Sequence, residues 1–174
     1  MDGGGEVMAP LVILVLGETG RYLSLVHTLL AAGHRVRVGT RRPGAATGVR
    51  QRGVEIVRVD LDDVGSIVEA ATGADAVFAA GTFHRTGAEG DVLHGRNVID
   101  AARIAEAPHL VYVSVAGADR PTDVPLFESK RRVEDYLERC SVHHRRPRVS
   151  HGERMEPVER TGAGARPLSE PGSA

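Results

Sequence analysis

Hydrophobic residues in this chain fall in short blocks separated by stretches with helical periodicity. Leu11–Leu16 (LVILVL) is six apolar residues without a polar break, followed by Gly17-Glu18-Thr19-Gly20 and an apolar-periodic segment. A half-exposed strand alternates apolar and polar positions. An unbroken run instead predicts a central strand of a parallel sheet covered on both faces. The periodic segment predicts a helix from Arg21 to Ala32, with Leu23, Val26, Leu29 and Leu30 on the buried side and Gly33 as its stop.

The pattern then repeats. Arg35–Thr40 (RVRVGT) reads as a second strand, Arg41-Arg42-Pro43-Gly44 breaks it, and Ala45–Arg52 reads as a short, poor helix. Val54–Val59 is a third strand, and the acidic run Asp60–Asp63 offers a cap to a helix over Val64–Ala71. Ala76–Ala80 is a fourth strand. Gly81–Gly90 reads as a glycine-rich loop, Asp91–Ala105 as a helix stopped by Pro108, and Leu110–Val115 as a fifth strand. A second loop, Ala116–Val124, leads into a last helix over Pro125–Cys140. Strands and helices alternating at this spacing predict right-handed crossovers and an α/β doubly wound parallel sheet, with ligands at the carboxyl ends of the strands. There Gly17 would permit the tight turn, Gly20 would let backbone approach a ligand, and the new helix would aim its free N–H groups at a phosphate.

Residues 141–174 are rich in Arg, Pro, Gly and Ser without apolar periodicity, so they predict a disordered tail with no strand or helix. Three segments result: a flexible N-terminus (1–9), one domain (10–140) and the tail (141–174). At 174 residues with 41% hydrophobic positions, the chain can bury a core of its own.

Charge and cysteine content narrow the setting. Lys plus Arg (22) nearly balances Asp plus Glu (23), which argues against a nucleic-acid partner. Cys140 is the one cysteine, so no internal disulfide forms and a reducing compartment fits. The glycine-rich, acidic start is a poor secretory signal, and the longest apolar run is too short for a membrane span. A cytoplasmic protein without membrane association is expected.

The stretches LGETG, TRRPG, VDLDD, DAVFAAG, GRNVIDAAR, HLVYVSVAGAD and FESKRRVEDYL, in that order over residues 10–139, resemble the NmrA-like, atypical branch of the short-chain dehydrogenase/reductases. The resemblance implies a Rossmann-type sheet of about five strands in the order 3-2-1-4-5 that binds NAD(P)(H). Activities in the family span quinone and isoflavone-type reductases and catalytically silent redox sensors. Gly17 and Gly20 match the first two glycines of the family's GxxGxxG loop; Leu23 stands where the third would let the helix pack closely on the sheet. Thr19 and Arg21 occupy loop positions next to the pyrophosphate.

Further positions carry over. Thr40 ends the second strand where an NAD-preferring protein places a carboxylate; Arg41 and Arg42 follow, and guanidinium groups there suit the extra phosphate of NADP. NADP(H) is therefore expected over NAD(H). Asp60, with Leu61 beside it, matches the residue that meets the adenine ring; helix capping by Asp60, Asp62 or Asp63 is the alternative. Ala79, Ala80 and Gly81 match the strand end that passes beside the cofactor. Ser114 lies near the usual serine position. Lys130 matches the lysine of the superfamily's Tyr-x-x-x-Lys pair, but the position four before it is Leu126, so no phenol is available. Lys130 then either holds the nicotinamide ribose or is a surface lysine. Tyr112, inside the fifth strand, reads as packing rather than acid. His84 and Arg85 either touch substrate or are solvated. His143, His144 and His151 have no supporting framework for a metal, so none is expected.

These readings predict an NADPH-dependent oxidoreductase acting on a small carbonyl or quinone, with its catalytic residues unassigned. The alternatives are a non-catalytic NADP(H)-sensing regulator that contacts a protein partner, or a truncated inactive product. The family continues past the last helix with a strand and a Met-Glu-Asn stretch that begins its substrate-binding part. His151–Pro157 can be written in codons that, moved one nucleotide forward, read Met-Glu-Asn-Gly-Trp-Ser. This reading predicts a frame slip near residues 140–145, and a fifth strand left with an unpaired edge.

Overall fold

A computed structural model describes residues 9–17, 22–46 and 54–140, together with the backbone of 144–145 and 148–149. Strands β1 (Val12–Leu16), β2 (Arg35–Thr40), β3 (Val54–Arg58), β4 (Ala76–Ala80) and β5 (His109–Val115) form a parallel sheet in the order β3-β2-β1-β4-β5. The fold is the expected doubly wound one, with β1 at its centre. In register, Ile13 pairs with Val36 on one side and Ala76 on the other.

The unbroken apolar run of β1 follows from this position. Leu14 and Leu16 point into one core layer, with α2 (Val64–Ala71), α3 (Phe83–Ile104) and α4 (Pro125–Arg139). Ile13 and Val15 point into a second layer, with Val26 of α1 (Leu23–Ala31). Burying each such side chain contributes roughly 1.5–3 kcal/mol. Leu23, the residue in place of a loop glycine, begins α1 and packs against this second layer. Tyr22 just before it meets Phe78 edge-on, the ring centroids 5.2 Å apart.

Several expectations are corrected. Helix α3 starts at Phe83, so most of the segment expected as a loop, Gly81–Gly90, is helical. The Thr82 carbonyl accepts from the N–H groups of both Arg85 and Thr86, which nucleates a turn the glycines concealed. That turn joins the main helix through a break at Gly87 (φ 69°, ψ −172°), a conformation open essentially to glycine alone. After β2 a 3₁₀ turn occupies Pro43–Ala45, and the rest of the short helix expected over Ala45–Arg52 lies outside the described residues. The edge of β5, expected bare, carries two short parallel strands. These are β6 (His144–Arg145), opposite Leu110 and Val111, and β7 (Arg148–Val149), opposite Ser114 and Val115. An edge strand's unpaired N–H and C=O groups are a template for such pairing, with or without apolar periodicity in the partner. The other tail residues lie outside the described ones.

Candidate functional site

The carboxyl ends of β1 to β4 converge. Chain leaving β1 passes through Gly17, β2 delivers Thr40, Arg41 and Arg42, β3 delivers Asp60 and Leu61, and β4 runs into Gly81 and Thr82. Between them lies a cavity of about 620 Å³, lined by Gly17, Arg41, Arg42, Asp60, Leu61 and Thr82 among others. That volume lies in the usual range for ligand pockets. Gly17 has a φ of +141°, and a Cβ placed on it would come within 3.3 Å of both the Ala80 Cβ and the Tyr22 ring. Five of the cofactor residues expected from the sequence, Gly17, Arg41, Arg42, Asp60 and Leu61, line this one cavity. Thr19, Gly20 and Arg21 lie outside the described residues.

At the β2 end no carboxylate stands beside the strand. The Thr40 hydroxyl accepts from the Arg42 N–H at 3.3 Å, fixing the turn that presents the arginines. Both are exposed, and among the described residues neither has an ion-pair partner. At the β3 end the capping question resolves. Asp63 caps α2, its carboxylate accepting from the Gly65 N–H at 2.9 Å. Asp60 Oδ1 accepts from the Asp62 N–H at 3.2 Å, and the backbone of Asp60 is held by Ser66 Oγ, leaving one carboxylate oxygen for the cavity.

One wall of the cavity was not foreseen. His94 of α3 bonds the Thr82 hydroxyl through Nδ1 at 2.8 Å and the Asp62 carboxylate through Nε2 at 2.8 Å. Thr86 Oγ1 adds a contact to Thr82 Oγ1 at 3.1 Å. Thr82, Thr86, His94 and Arg85 all line the cavity, so Arg85 is part of the pocket while His84 is an exposed helix residue. Nothing in the sequence pattern marks His94, because its partners are 12 and 32 positions away.

Lys130 is not a surface lysine. It is 5% exposed, and its Nζ lies 2.9 Å from Asp91 Oδ2 and 3.2 Å from the Tyr112 hydroxyl. Asp91, fully buried, also accepts from the Ser129 hydroxyl at 2.8 Å and the Thr82 N–H at 2.7 Å. Burial pulls the Lys130 pKa below the usual lysine range, and the Asp91 carboxylate opposes that pull. Burial likewise holds the Tyr112 proton well above the ordinary phenol range, with Asp91 and Glu134 adding to the effect. Tyr112 is thus a phenol beside the lysine, as the absent partner at Leu126 would have been. It sits in the core, however, and does not line the cavity. A phenol held so far from ionising is a poor proton donor at neutral pH. Ser114, also buried, has no hydrogen-bond partner for its hydroxyl among the described residues. Ala80 is buried at the end of β4.

Such an arrangement can bind an extended anionic ligand: glycine at the entry turn, two guanidinium groups at one end and a free carboxylate oxygen between. Each fits one part of a nicotinamide dinucleotide. Ala80, Gly81, Ser114 and Lys130 do not line the cavity. Among the described residues no cluster of metal-ligating side chains occurs, and no helix is long and apolar enough to cross a membrane.

Comparison with known proteins gives a consistent frame. The sequence profile of the NmrA-like family matches residues 11–146. The photosystem II assembly factor Ycf39 of Cyanophora paradoxa is 26% identical over 137 residues, covering 76% of this chain and 43% of its own length. The triphenylmethane reductase of Citrobacter sp., solved with NADP(H), superposes with a TM-score of 0.70 at 24% identity, over 79% of this chain and 48% of its own. NmrA, a negative transcriptional regulator solved with NADP, superposes with a TM-score of 0.68 at 23% identity, over 80% of this chain and 45% of its own. The two structures establish a shared fold. The chain spans less than half the length of each of these relatives.

Proposed function

The chain belongs to the NmrA-like family, and from that premise we propose that it binds NADP(H) in preference to NAD(H) and acts as an NADPH-dependent oxidoreductase on a small carbonyl or quinone. The observation that carries this reading is the cavity at the strand ends, with Arg41 and Arg42 at its β2 wall and no carboxylate in their place. Gly17, with Thr19, Gly20 and Arg21, holds the pyrophosphate against the amino end of α1. Arg41 and Arg42 read the 2′-phosphate by charge-assisted hydrogen bonds. Asp60 and Leu61 meet the adenine, and Ala80 and Gly81 pass beside the sugar. Ser114 and Lys130 serve the nicotinamide ribose. Bound NADPH would supply the hydride, and these residues its position. The setting proposed is the cytoplasm, whose reducing poise suits the free thiol of Cys140.

A second reading is a non-catalytic NADP(H)-sensing regulator with a protein partner. Tyr112 favours it, since the one phenol near Lys130 is buried and holds its proton tightly. The likeness to an assembly factor and a transcriptional regulator favours it too.

Titration of the purified, folded chain with NADPH and NADH tests the shared part of both readings. Binding of NADPH about tenfold or more tighter than NADH is expected, the worth of about one charge-assisted hydrogen bond. Equal affinities would remove Arg41 and Arg42 as selectors, and binding of neither would overturn the assignment. Turnover of NADPH with a panel of quinones separates the reductase from the sensor.

A further inference from the structure

A buried ion pair is weak evidence of a need for stability, because well-packed apolar residues of the same volume commonly serve as well. The pair of Asp91, fully buried, and Lys130, 5% exposed, therefore asks for another reason to exist. The geometry supplies one. An ammonium has three hydrogens. At Lys130, among the described residues, the Asp91 carboxylate lies 3.1 Å away through Oδ1 and 2.9 Å through Oδ2, and the Tyr112 hydroxyl 3.2 Å away. With one N–H shared between the two carboxylate oxygens and one given to the phenol, the third is left for a ligand. A Cβ built on Gly81 would fall 1.6 Å from Lys130 Nζ, so the amine fills the space a side chain at 81 would take. It thereby reaches the carboxyl end of β4, one residue before Thr82 on the cavity wall.

We propose that Asp91 is a positioning residue of the cofactor site. Its carboxylate holds Lys130 as an ammonium against Gly81 and, through the Thr82 N–H, fixes the end of β4 relative to that ammonium, so that the third N–H donates to the nicotinamide ribose. The proposal rests on the reading of Lys130 given above and deepens it: one carboxylate does the work of orienting the lysine, in a site without the usual phenol.

The charged and titratable groups around the amine are Asp91 from α3, Tyr112 from β5, Glu134 one turn further along α4 and Tyr22 just before α1, the last two acting on Tyr112. His94 lies one turn along α3 and reaches the cluster through Thr82. Burial lowers the Lys130 pKa and Asp91 raises it, so an asparagine at 91 leaves only the lowering. Binding that needs the ammonium persists below the pKa of the amine and is lost above it. The alkaline loss of NADPH affinity should therefore come at lower pH when Asp91 is neutralised.

The test is a series of NADPH titrations on the full chain from about pH 6 to about pH 10, within the range where a perturbed lysine changes charge. In Asp91→Asn the alkaline fall in affinity should move down by about one pH unit or more, against wild type. Lys130→Met should bind about tenfold more weakly at neutral pH and show no such fall. The double variant Asp91→Asn/Lys130→Met leaves no buried charge unpaired; it should match Lys130→Met, and it carries the test if the single variant does not fold. An unmoved alkaline limb in Asp91→Asn, or wild-type affinity in Lys130→Met or the double variant, would overturn the proposal alone. A folded wild-type chain that binds no NADPH would overturn the reading beneath it.

Discussion

His94 donates from Nε2 to the Asp62 carboxylate at 2.8 Å, and that bond sets the tautomer of the neutral ring. A carboxylate can only accept, so Nε2 carries the hydrogen. In the neutral ring Nδ1 must then accept, and the Thr82 hydroxyl at 2.8 Å is the donor. With the ring neutral, the cavity wall presents a Thr82 hydroxyl whose hydrogen is committed inward.

Removing Asp62 should release that commitment. Asp62→Ala is expected to weaken NADPH and NADH together, by about fivefold, and to lower stability by about 1 kcal/mol, the worth of one hydrogen bond. Paired titrations and thermal unfolding check this. A change in the NADPH-to-NADH ratio would instead tie Asp62 to the β2 end of the cavity.

Arg41 and Arg42 should govern the ratio itself. The double variant Arg41→Ala/Arg42→Ala should lose NADPH affinity by about ten- to a hundredfold, the range for one or two charge-assisted hydrogen bonds, while NADH affinity stays nearly unchanged. Both arginines are exposed, so the melting temperature should hold. Parallel losses for the two cofactors would count against the phosphate reading.

A methyl group at Gly81 has nowhere to go. Gly81→Ala should destabilise the chain by about 3 kcal/mol, the upper part of the range for overpacking, because the new Cβ overlaps Lys130 Nζ and lies 2.6 Å from Asp91 Oδ1. Chemical denaturation measures it. A stability within about 0.5 kcal/mol of wild type, the size of a neutral surface change, would mean that the amine moves freely out of that place.

Tyr112 carries a pH signature. Its folded pKa lies above the ordinary 10.0, so its share of stability is present below pH 10 and drains as the pH climbs toward the folded value, where the unfolded chain alone has ionised. Tyr112→Phe should flatten that alkaline loss. If the chain reduces quinones, the same variant should keep its turnover within about twofold, since a phenol this tightly protonated passes little proton. A large loss of turnover would make Tyr112 the acid after all.

What was legible in the sequence was whatever rests on neighbours in the chain. Leu11–Leu16 announced a strand covered twice, and the two core layers that take its alternate residues are the reason. Arg41, Arg42 and Asp60 could be placed because each lies within two residues of a strand end. Asp91 could not: it reads as one more polar residue in a helix, and its meaning comes from Lys130, 39 positions on. His94 was hidden for the same reason. The helical turn before Gly87 was masked by glycine and threonine content that ordinarily signals a loop, and it forms because one carbonyl, that of Thr82, accepts twice.

The break at Gly87 also divides the mechanics of α3. Beyond it the helix is locked into the core by Val92, Val98 and Ile99. Before it, Phe83 to Thr86 hang from the Thr82 carbonyl, and this short piece bears Arg85 and Thr86 on the cavity wall. The glycine break separates the two, so the cavity-lining turn is held by its hydrogen bonds at Thr82 and not by the packing that holds the long helix. That wall of the pocket therefore answers to a handful of local hydrogen bonds, and a substitution at Arg85 or Thr86 can reshape it without touching the apolar contacts on which the sheet depends.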